Sequence, residues 1–151
     1  MTDKKRMTRA RYVYHGFGFP VTLCHVSMTK IRGTWTPDVD YERLQRALLG
    51  ALAGKPARLS GLEVRFIRLS FEMTLQAFAE RFAVTHPAVL KWEAARHSST
   101  GMSWATEKDI RLSVVLKLHE RPARFLDRYR ELEVQPKTAR VPLKIDASSV
   151  A

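Results

Sequence analysis

The sequence predicts a mainly α-helical fold of the α+β class, with five to six helices and a small N-terminal β-hairpin or sheet. Three observations lead to this prediction. The chain has 151 residues, of which 45% are hydrophobic and 27% are charged, enough for one globular domain. Apolar residues alternate with other residues in positions 12–36, which is typical of strands. In positions 37–133 they recur at helical spacing, which predicts a helical domain.

Residues 1–11 are expected to form a flexible basic arm. This stretch contains a single acidic residue, Asp3, among the five cations Lys4, Lys5, Arg6, Arg9 and Arg11. Two interpretations stay open for an arm of this kind. It is either solvated, or it contacts backbone phosphates or a minor groove of nucleic acid.

The strands are expected within residues 12–36. A break at residues 16–20, GFGFP, separates a short tyrosine-containing strand from the run VTLCHVSMTKI, and Gly33 marks the next turn. Strict alternation divides this run between two faces of a sheet. One face would carry Val21, Leu23, His25 and Ser27, and the other would carry Thr22, Cys24, Val26 and Met28.

The first two helices are indicated by their capping residues. Asp38 or Asp40 can cap a first helix, which ends at 54–56 in the sequence Gly-Lys-Pro. Ser60 can cap the second helix, and Glu63 three residues later completes a capping box. The apolar stripe of the first helix contains Leu44, Ala47, Leu48, Ala51 and Leu52, and that of the second contains Leu62, Phe66, Ile67 and Leu69.

The third and fourth helices are short and close together. Thr74 caps a helix that runs through Phe82, and Thr85 caps the next, with Pro87 in its first turn. A fifth helix begins at Ser103 and Trp104 and extends to about His119. A sixth helix runs from residue 121 to about residue 133, and the proline-containing residues 134–151 are expected to be a loose tail.

The net charge of +11, with a pI near 10.3, favours a polyanionic partner. Nucleic acid is favoured over a membrane surface, because a membrane-binding helix needs exposed aromatic residues and the helices here need their apolar faces for a core. The chain has neither an apolar run of about 18 residues nor an apolar leader at its start. We therefore expect no membrane association and a cytoplasmic location.

The segment 74–94, TLQAFAERFAVTHPAVLKWEA, has the spacing of a helix-turn-helix. The turn would lie around residues 83–85, and the small Ala79 would stand where the two helices approach most closely. Val84 would fill the space between the helices, while Val89 and Trp92 would pack the second helix onto the first. In this motif the second helix presents its N-terminal residues to the major groove of DNA, here with the helix around His86–Arg96.

The same segment resembles the Cro-repressor/Xre family, whose pattern is similar to L-S-x-x-x-L-A-x-x-L-G-V-S-x-x-x-V-S-x-W-E. Thr74 matches the family's Ser, and the matches continue at Phe78–Ala79, Phe82–Thr85, Val89 and Trp92–Glu93. The close match covers about 30 residues. Two positions depart from the pattern. Leu75 replaces a Gln that commonly touches DNA, and Ala83 replaces the turn Gly, so we expect a turn helical enough to accept a Cβ atom.

A weaker similarity extends upstream to the DNA-binding half of MqsA-like antitoxins. It involves residues 12–15, 40–53 and 58–68. Members of that group often carry a zinc-binding half with paired cysteines, whereas Cys24 is the only cysteine of this chain. Neither zinc nor a family-type toxin contact therefore follows from the similarity, and we expect no cofactor and no metal.

The residues free to read DNA are those not needed for packing. They form an outer face of Thr85, His86, Pro87, Leu90 and Lys91. His86 and Lys91 could bond guanine N7 or O6, and Leu90 or Pro87 could contact a thymine methyl group. Other positions suit backbone phosphates. These candidates are Thr74 and Thr85 at helix N-termini, Arg96 and His97 after the fourth helix, and, more weakly, Arg65, Arg68 and Arg81. The alternative for Lys91 and Arg81 is that they are merely solvated.

Catalysis is not expected. Cys24 and His25 are adjacent in a strand and would point to opposite faces, and no phosphate-binding glycine loop is present. We expect a sequence-specific double-stranded DNA-binding regulator, a repressor acting as a homodimer on a two-fold site. The fifth helix, with Trp104, Ile110, Leu112 and Val115, is the expected dimer surface. The alternatives are an antitoxin that also neutralises a toxin protein, and a non-specific nucleic-acid-binding or protein-interaction module.

Overall fold

A computed structural model describes residues 5–118, 122–136 and 142–151. Within these residues the chain forms six α-helices and a four-stranded sheet, which confirms the predicted α+β class. None of these helices is long and apolar enough to cross a membrane. The elements are β1 (Arg6–Tyr14), β2 (Val21–Ile31), β3 (Thr34–Pro37), α1 (Tyr41–Ala53), α2 (Gly61–Ser70), α3 (Leu75–Arg81), α4 (His86–Ala94), α5 (Trp104–Lys117), α6 (Pro122–Leu132) and β4 (Lys144–Asp146).

The chain divides into two compact units, and their boundary lies inside α1. The first unit comprises Met1–Ala51 and Pro142–Ala151, and the second comprises Leu52–Val141. The expected boundary at residue 37, between a β element and a helical domain, therefore differs from the observed one. The reason is that the first helix belongs largely to the same unit as the sheet.

The sheet of the first unit is built around β2. Strand β1 pairs with β2 in antiparallel fashion, from Arg6 opposite Thr29 to Tyr14 opposite Val21. Residues 6–11, which we expected to be a flexible arm, are therefore the first part of a strand. Their backbone pairs with residues 24–29 of β2, and that pairing holds them in the sheet. Lys4 and the residues before it lie outside the described residues.

The expectation of a loose tail is also wrong for residues 142–151. Strand β4 pairs in parallel with residues 22–24 of β2, and a 3₁₀ turn follows at Ala147–Val150. Ile145 and Val150 are buried, so apolar burial and strand pairing together hold this end of the chain. The Ser148 hydroxyl and backbone N–H both donate to Asp146 Oδ1, at 2.6 and 3.0 Å, and these bonds lower the pKa of Asp146.

Strand β2 changes faces at His25. The buried apolar residues are Val21 and Leu23 before it and Val26 and Met28 after it, so strict alternation fails at this point. His25 has φ of +52°, a left-handed conformation that interrupts the strand's regular pleat. The predicted grouping of Val21 with Ser27 is therefore wrong, because one irregular residue moves all later side chains to the other face.

Helix α1 begins where the sequence predicts. Of the two possible caps, Asp40 is the one used, since its Oδ1 accepts from the N–H groups of Glu42 at 3.0 Å and Arg43 at 3.2 Å. Leu44 and Leu48 are fully buried, as expected for the apolar stripe. The backbone N–H of Asp40 donates to the carbonyl of Val150, so the C-terminal turn also holds the start of this helix.

A buried ion pair organises the second unit. Arg111 and Glu107, one turn apart on α5, are both fully buried, and the guanidinium lies 2.8 Å from the carboxylate. Arg111 also donates to the carbonyls of Lys55 and Ala57, while Glu107 accepts from Arg58 at 3.0 Å. Burial lowers the pKa of Arg111, whereas the adjacent Glu107 opposes that shift. The connection between α1 and α2 is thereby fixed to α5.

Two of the four α5 residues that we expected at a dimer surface are core residues, whereas Trp104 and Leu112 are only partly buried. Ile110 is 0% exposed and Val115 is 2% exposed, so both side chains lie in the core of the second unit. Trp104 is partly buried, and its indole N–H donates to the carbonyl of Leu132 at 3.1 Å. The apolar residues at helical spacing in α5 include core residues, and such residues cannot be distinguished from interface residues by their spacing alone.

Candidate nucleic-acid interface

Helices α3 and α4 begin at the predicted caps. The Thr74 hydroxyl accepts from the N–H of Ala77 at 3.1 Å, and the Thr85 hydroxyl accepts from the N–H of Ala88 at 3.3 Å. Pro87 lies in the first turn of α4, where a missing N–H costs nothing. These local signals define two short helices joined by a tight turn, which is the arrangement predicted for residues 74–94.

The turn itself differs from the expectation. Ala83 has φ of +54°, so it adopts the left-handed conformation that glycine favours, and the turn is not helical at this residue. The next residue, Val84, donates its N–H to the carbonyl of Ala79 at 2.9 Å and closes the end of α3. The turn thus keeps the geometry that a glycine would provide, and an alanine adopts it at a conformational cost.

The two helices pack through the residues that the spacing identified. Phe78 and Phe82 meet edge to face with their ring centroids 4.7 Å apart. Ala79, Val89 and Trp92 are all buried. These side chains pack α4 onto α3, and the opposite side of α4 faces away from this contact.

Helix α4 is also held by the start of α2, through Gly61. A Cβ atom at this position would lie 2.3 Å from the carbonyl oxygen of Trp92, so only glycine permits this approach. The N–H of Gly61 donates to the carbonyl of Ser98, and the N–H of Leu62 donates to the carbonyl of Arg96. Sequence reasoning missed this contact, because a glycine after a capping serine looks like an ordinary first-turn residue.

Arg68, one of the weaker phosphate candidates, is engaged in an ion pair within the second unit. Its side chain is 11% exposed and forms a two-point ion pair with Glu93, at 2.6 and 3.3 Å. It also donates to the carbonyl of Met73 at 3.0 Å. These three bonds use three of the five N–H donors of the guanidinium, and they link α2 to α4. Glu93 is therefore neutralised by an arginine on the neighbouring helix α2.

The predicted reading face of α4 is exposed. Thr85, His86, Pro87 and Lys91 are exposed, and 46% of Leu90 is accessible. Arg96 and His97, in the loop that follows, are exposed as well. The structure therefore brings these residues together on one short helix and its C-terminal loop.

The charge of this surface is one-sided. From residue 82 to residue 106 the sequence contains a single carboxylate, Glu93, and Arg68 neutralises it. The cations Lys91 and Arg96 are exposed in the same stretch, and no carboxylate within the described residues pairs with either of them. A polyanion can thus approach α4 without meeting a negative side chain of that segment.

The remaining phosphate candidates lie on neighbouring elements. Thr74 is exposed, although its hydroxyl already serves as the cap of α3. Arg65 is exposed on α2. Arg81 is exposed too, with its guanidinium 5.0 Å from the Phe82 ring centroid and bonded to the Ser113 hydroxyl at 3.1 Å. Arg81 is therefore positioned by the fold and still accessible.

Within the described residues, no three His, Cys, Asp or Glu side chains are grouped so that they could hold a metal ion. Cys24 is partly buried, and the neighbouring His25 lies with Nδ1 3.5 Å from Asp146 Oδ2. No family model, curated protein or solved structure matches the chain.

Proposed function

We propose that this protein binds double-stranded DNA in a sequence-specific manner, with α4 in the major groove. The observation that carries the proposal is the exposed side of α4, which is free of unpaired carboxylates and rigidly supported by α2 and α3. A major groove about 12 Å wide admits an α-helix of this size. The resemblance to Cro-repressor/Xre regulators supports the same assignment.

The side chains of α4 suggest how the bases would be read. His86 and Lys91 carry hydrogen-bonding groups that suit guanine N7 and O6, whereas Pro87 and Leu90 offer apolar contact to a thymine methyl group. Since two of these four are apolar, few bases would be read by hydrogen bonds. Backbone contacts from Arg96, His97, Arg65 and Arg81 would then supply much of the affinity, together with phosphate binding at the N-termini that Thr74 and Thr85 cap.

The biological role that we propose is that of a transcriptional repressor. We also propose that the protein is located in the cytoplasm. A homodimer on a two-fold symmetric site is the usual arrangement for such helices, with half-sites about one turn of DNA apart. Selection of bound sequences from a random duplex pool tests specificity and symmetry together. We expect an inverted repeat to emerge, and a pool that stays random would contradict the proposal.

The selected duplex then allows a test of α4 itself. His86→Ala or Lys91→Ala should weaken binding to the selected duplex by about 1–3 kcal/mol and relax the preference at one position. Arg130→Ala, an exposed cation on α6, is the matched control and should preserve that preference. If both α4 variants bound all sequences with wild-type affinity, α4 would not be the reading helix. If both lost affinity equally for every sequence, the protein would be a non-specific binder.

A further inference from the structure

The three strands at the start of the chain carry charge of one sign only. Residues 5–37 contain six lysines and arginines and no aspartate or glutamate. All six cations are exposed, and they are Lys5, Arg6, Arg9, Arg11, Lys30 and Arg32. This stretch accounts for more than half of the chain's net charge of +11, yet none of its residues lies in α4 or in the loop that follows α4. We call the side of β1–β3 that carries Arg6 and Arg11 the basic sheet face; Arg9 lies opposite the buried Val26 and so belongs to the other side of the sheet.

These cations are not neutralised by the fold. Within residues 5–118, 122–136 and 142–151, none of the six forms an ion pair with a carboxylate. Two of them lie near aromatic rings, Arg9 at 6.0 Å from the Tyr12 centroid and Lys30 at 5.9 Å from the Trp35 centroid. An unpaired cluster of like charges repels itself, so it would be relieved by a bound polyanion.

The strand register determines which cations share a face. Residues directly opposite one another in an antiparallel pair lie on the same side of the sheet. Arg6 lies opposite Thr29, and Thr29 lies opposite Thr36 on the next strand, so these three form a row. Thr29, in the middle of the row, is itself buried, whereas Arg6 is exposed and Thr36 is partly exposed. Arg11 lies opposite Cys24, on the side away from the buried Leu23 and Val26. Because the strands change faces at His25, Arg6 and Arg11 both reach the solvent side.

Hydroxyl groups accompany these cations on the same side. Thr8 is exposed opposite the partly exposed Ser27, and Thr34 and Thr36 follow on β3. Arginine, lysine, serine and threonine side chains are the groups that contact DNA phosphate oxygens. An apolar docking site is not indicated, since Val13 and Ile31 are the only large aliphatic side chains of residues 5–37 among the strongly exposed ones.

We propose that the basic sheet face is a second DNA contact, which binds backbone phosphates without reading sequence. Arg6 and Arg11 are its principal ligands, and the strand rise of about 3.4 Å per residue places them roughly 17 Å apart along β1. Such a separation spans several phosphates of one DNA strand. The proposal rests on the proposed function in requiring that the chain binds DNA, but it assigns a different surface and a different kind of contact.

The test is the salt dependence of binding by a double variant, Arg6→Gln with Arg11→Gln, in the full-length protein. Two duplexes are used, the one selected from the random pool and a scrambled version of equal length. Loss of two phosphate contacts should reduce the slope of log K against log salt by about 1.8, which corresponds to binding weaker by roughly 60-fold near 0.1 M salt. Both duplexes should show the same loss, because phosphates carry no sequence.

The matched control is Arg43→Gln with Arg46→Gln. Both residues are exposed on α1, in the same unit, and the substitutions remove the same amount of charge. This control should retain the wild-type salt slope. Thermal unfolding and circular dichroism of each variant establish that neither loss comes from unfolding, and the exposure of all four positions makes folding defects small.

The outcomes separate this proposal from the proposed function. If the sheet variant keeps wild-type affinity and slope while the protein still prefers its selected duplex, only the sheet proposal fails. The proposal is also overturned if the control pair of variants loses as much affinity for DNA as the sheet variant. It is overturned as well if the sheet variant loses affinity for phosphatidylserine vesicles but not for DNA. If the wild type binds both duplexes equally and the sheet variant alone loses slope, sequence-specific reading fails and the sheet proposal stands. A wild type that binds neither duplex refutes both.

Discussion

The ion pair between Arg68 and Glu93 offers the sharpest test of the structure, because the sequence and the structure assign Arg68 different roles. Replacing Arg68 with Met leaves the carboxylate of Glu93 without its partner, and Glu93→Met leaves the guanidinium alone. Both side chains are about nine-tenths buried, at 11% and 12% exposed. Substitution of one partner of a buried pair typically costs about 3–5 kcal/mol. The remaining exposure places the expected loss near the lower end, at about 3 kcal/mol for each single variant.

The double variant, with methionine at both positions, should recover most of this loss. It leaves no unpaired charge, and its only orphaned group is the carbonyl of Met73, whose lost hydrogen bond costs about 1 kcal/mol. Apolar replacement of a whole buried pair is often neutral or stabilising. We therefore expect the double variant to be more stable than either single variant by about 2 kcal/mol, a clear coupling in a double-mutant cycle.

Urea unfolding followed by circular dichroism and by tryptophan fluorescence measures these differences. Coincidence of the two signals is required, since a chain of two units can unfold in more than one step. Two results would refute the reasoning. Single variants that cost less than about 1 kcal/mol, with an additive double variant, would mean that the pair is solvated. A double variant that folds normally but loses about 0.9 from the salt slope of DNA binding would make Arg68 a phosphate contact after all.

Two further predictions concern backbone positions of the same region. Ala83→Gly should raise the free energy of unfolding by about 0.5–1 kcal/mol, because relief of the left-handed conformation, about 1–2 kcal/mol, exceeds the entropy that glycine adds to the unfolded chain. The control is Ala105→Gly at an exposed position of α5, which should lower the free energy of unfolding. Equal destabilisation by both substitutions would contradict the left-handed φ of Ala83. Gly61→Ala should cost about 1–3 kcal/mol and weaken DNA binding, since its Cβ would meet the backbone of Trp92 at 2.3 Å. Gly54→Ala would meet only the flexible end of Arg128, so thermal melts should show the smaller shift there.

Local signals in the sequence were sufficient for most of the helical part. Ser60, Thr74, Thr85 and Ser103 cap their helices as predicted, because a cap bonds an N–H only two or three residues away. The packing roles of Val89 and Trp92 followed from helical spacing, which likewise depends only on residues a few positions apart. The exposed face of α4 was then identified by elimination, and the structure places those residues on one accessible surface.

Contacts between distant residues could not be read in this way. Strand β4 pairs with residues 22–24 of β2, more than a hundred residues earlier in the chain, and no local pattern around Lys144 indicates such a partner. Arg68 looked like a surface cation until its distance to Glu93, on another helix, was known. Ile110 and Val115 on α5 resembled interface residues but are core residues, since both environments select the same apolar side chains.

The remaining differences between the sequence-based predictions and the structure include the backbone conformations of single residues. The sequence by itself determined where helices begin, which side chains of the helix-turn-helix pack, and that the charge suits a polyanion. Only the tertiary structure decided that His25 turns β2 over, that Ala83 adopts a left-handed turn and that Arg68 belongs to an ion pair. The physical reason is that caps and periodicity depend on neighbours within one helical turn, whereas these three features are stabilised by contacts that exist only after folding.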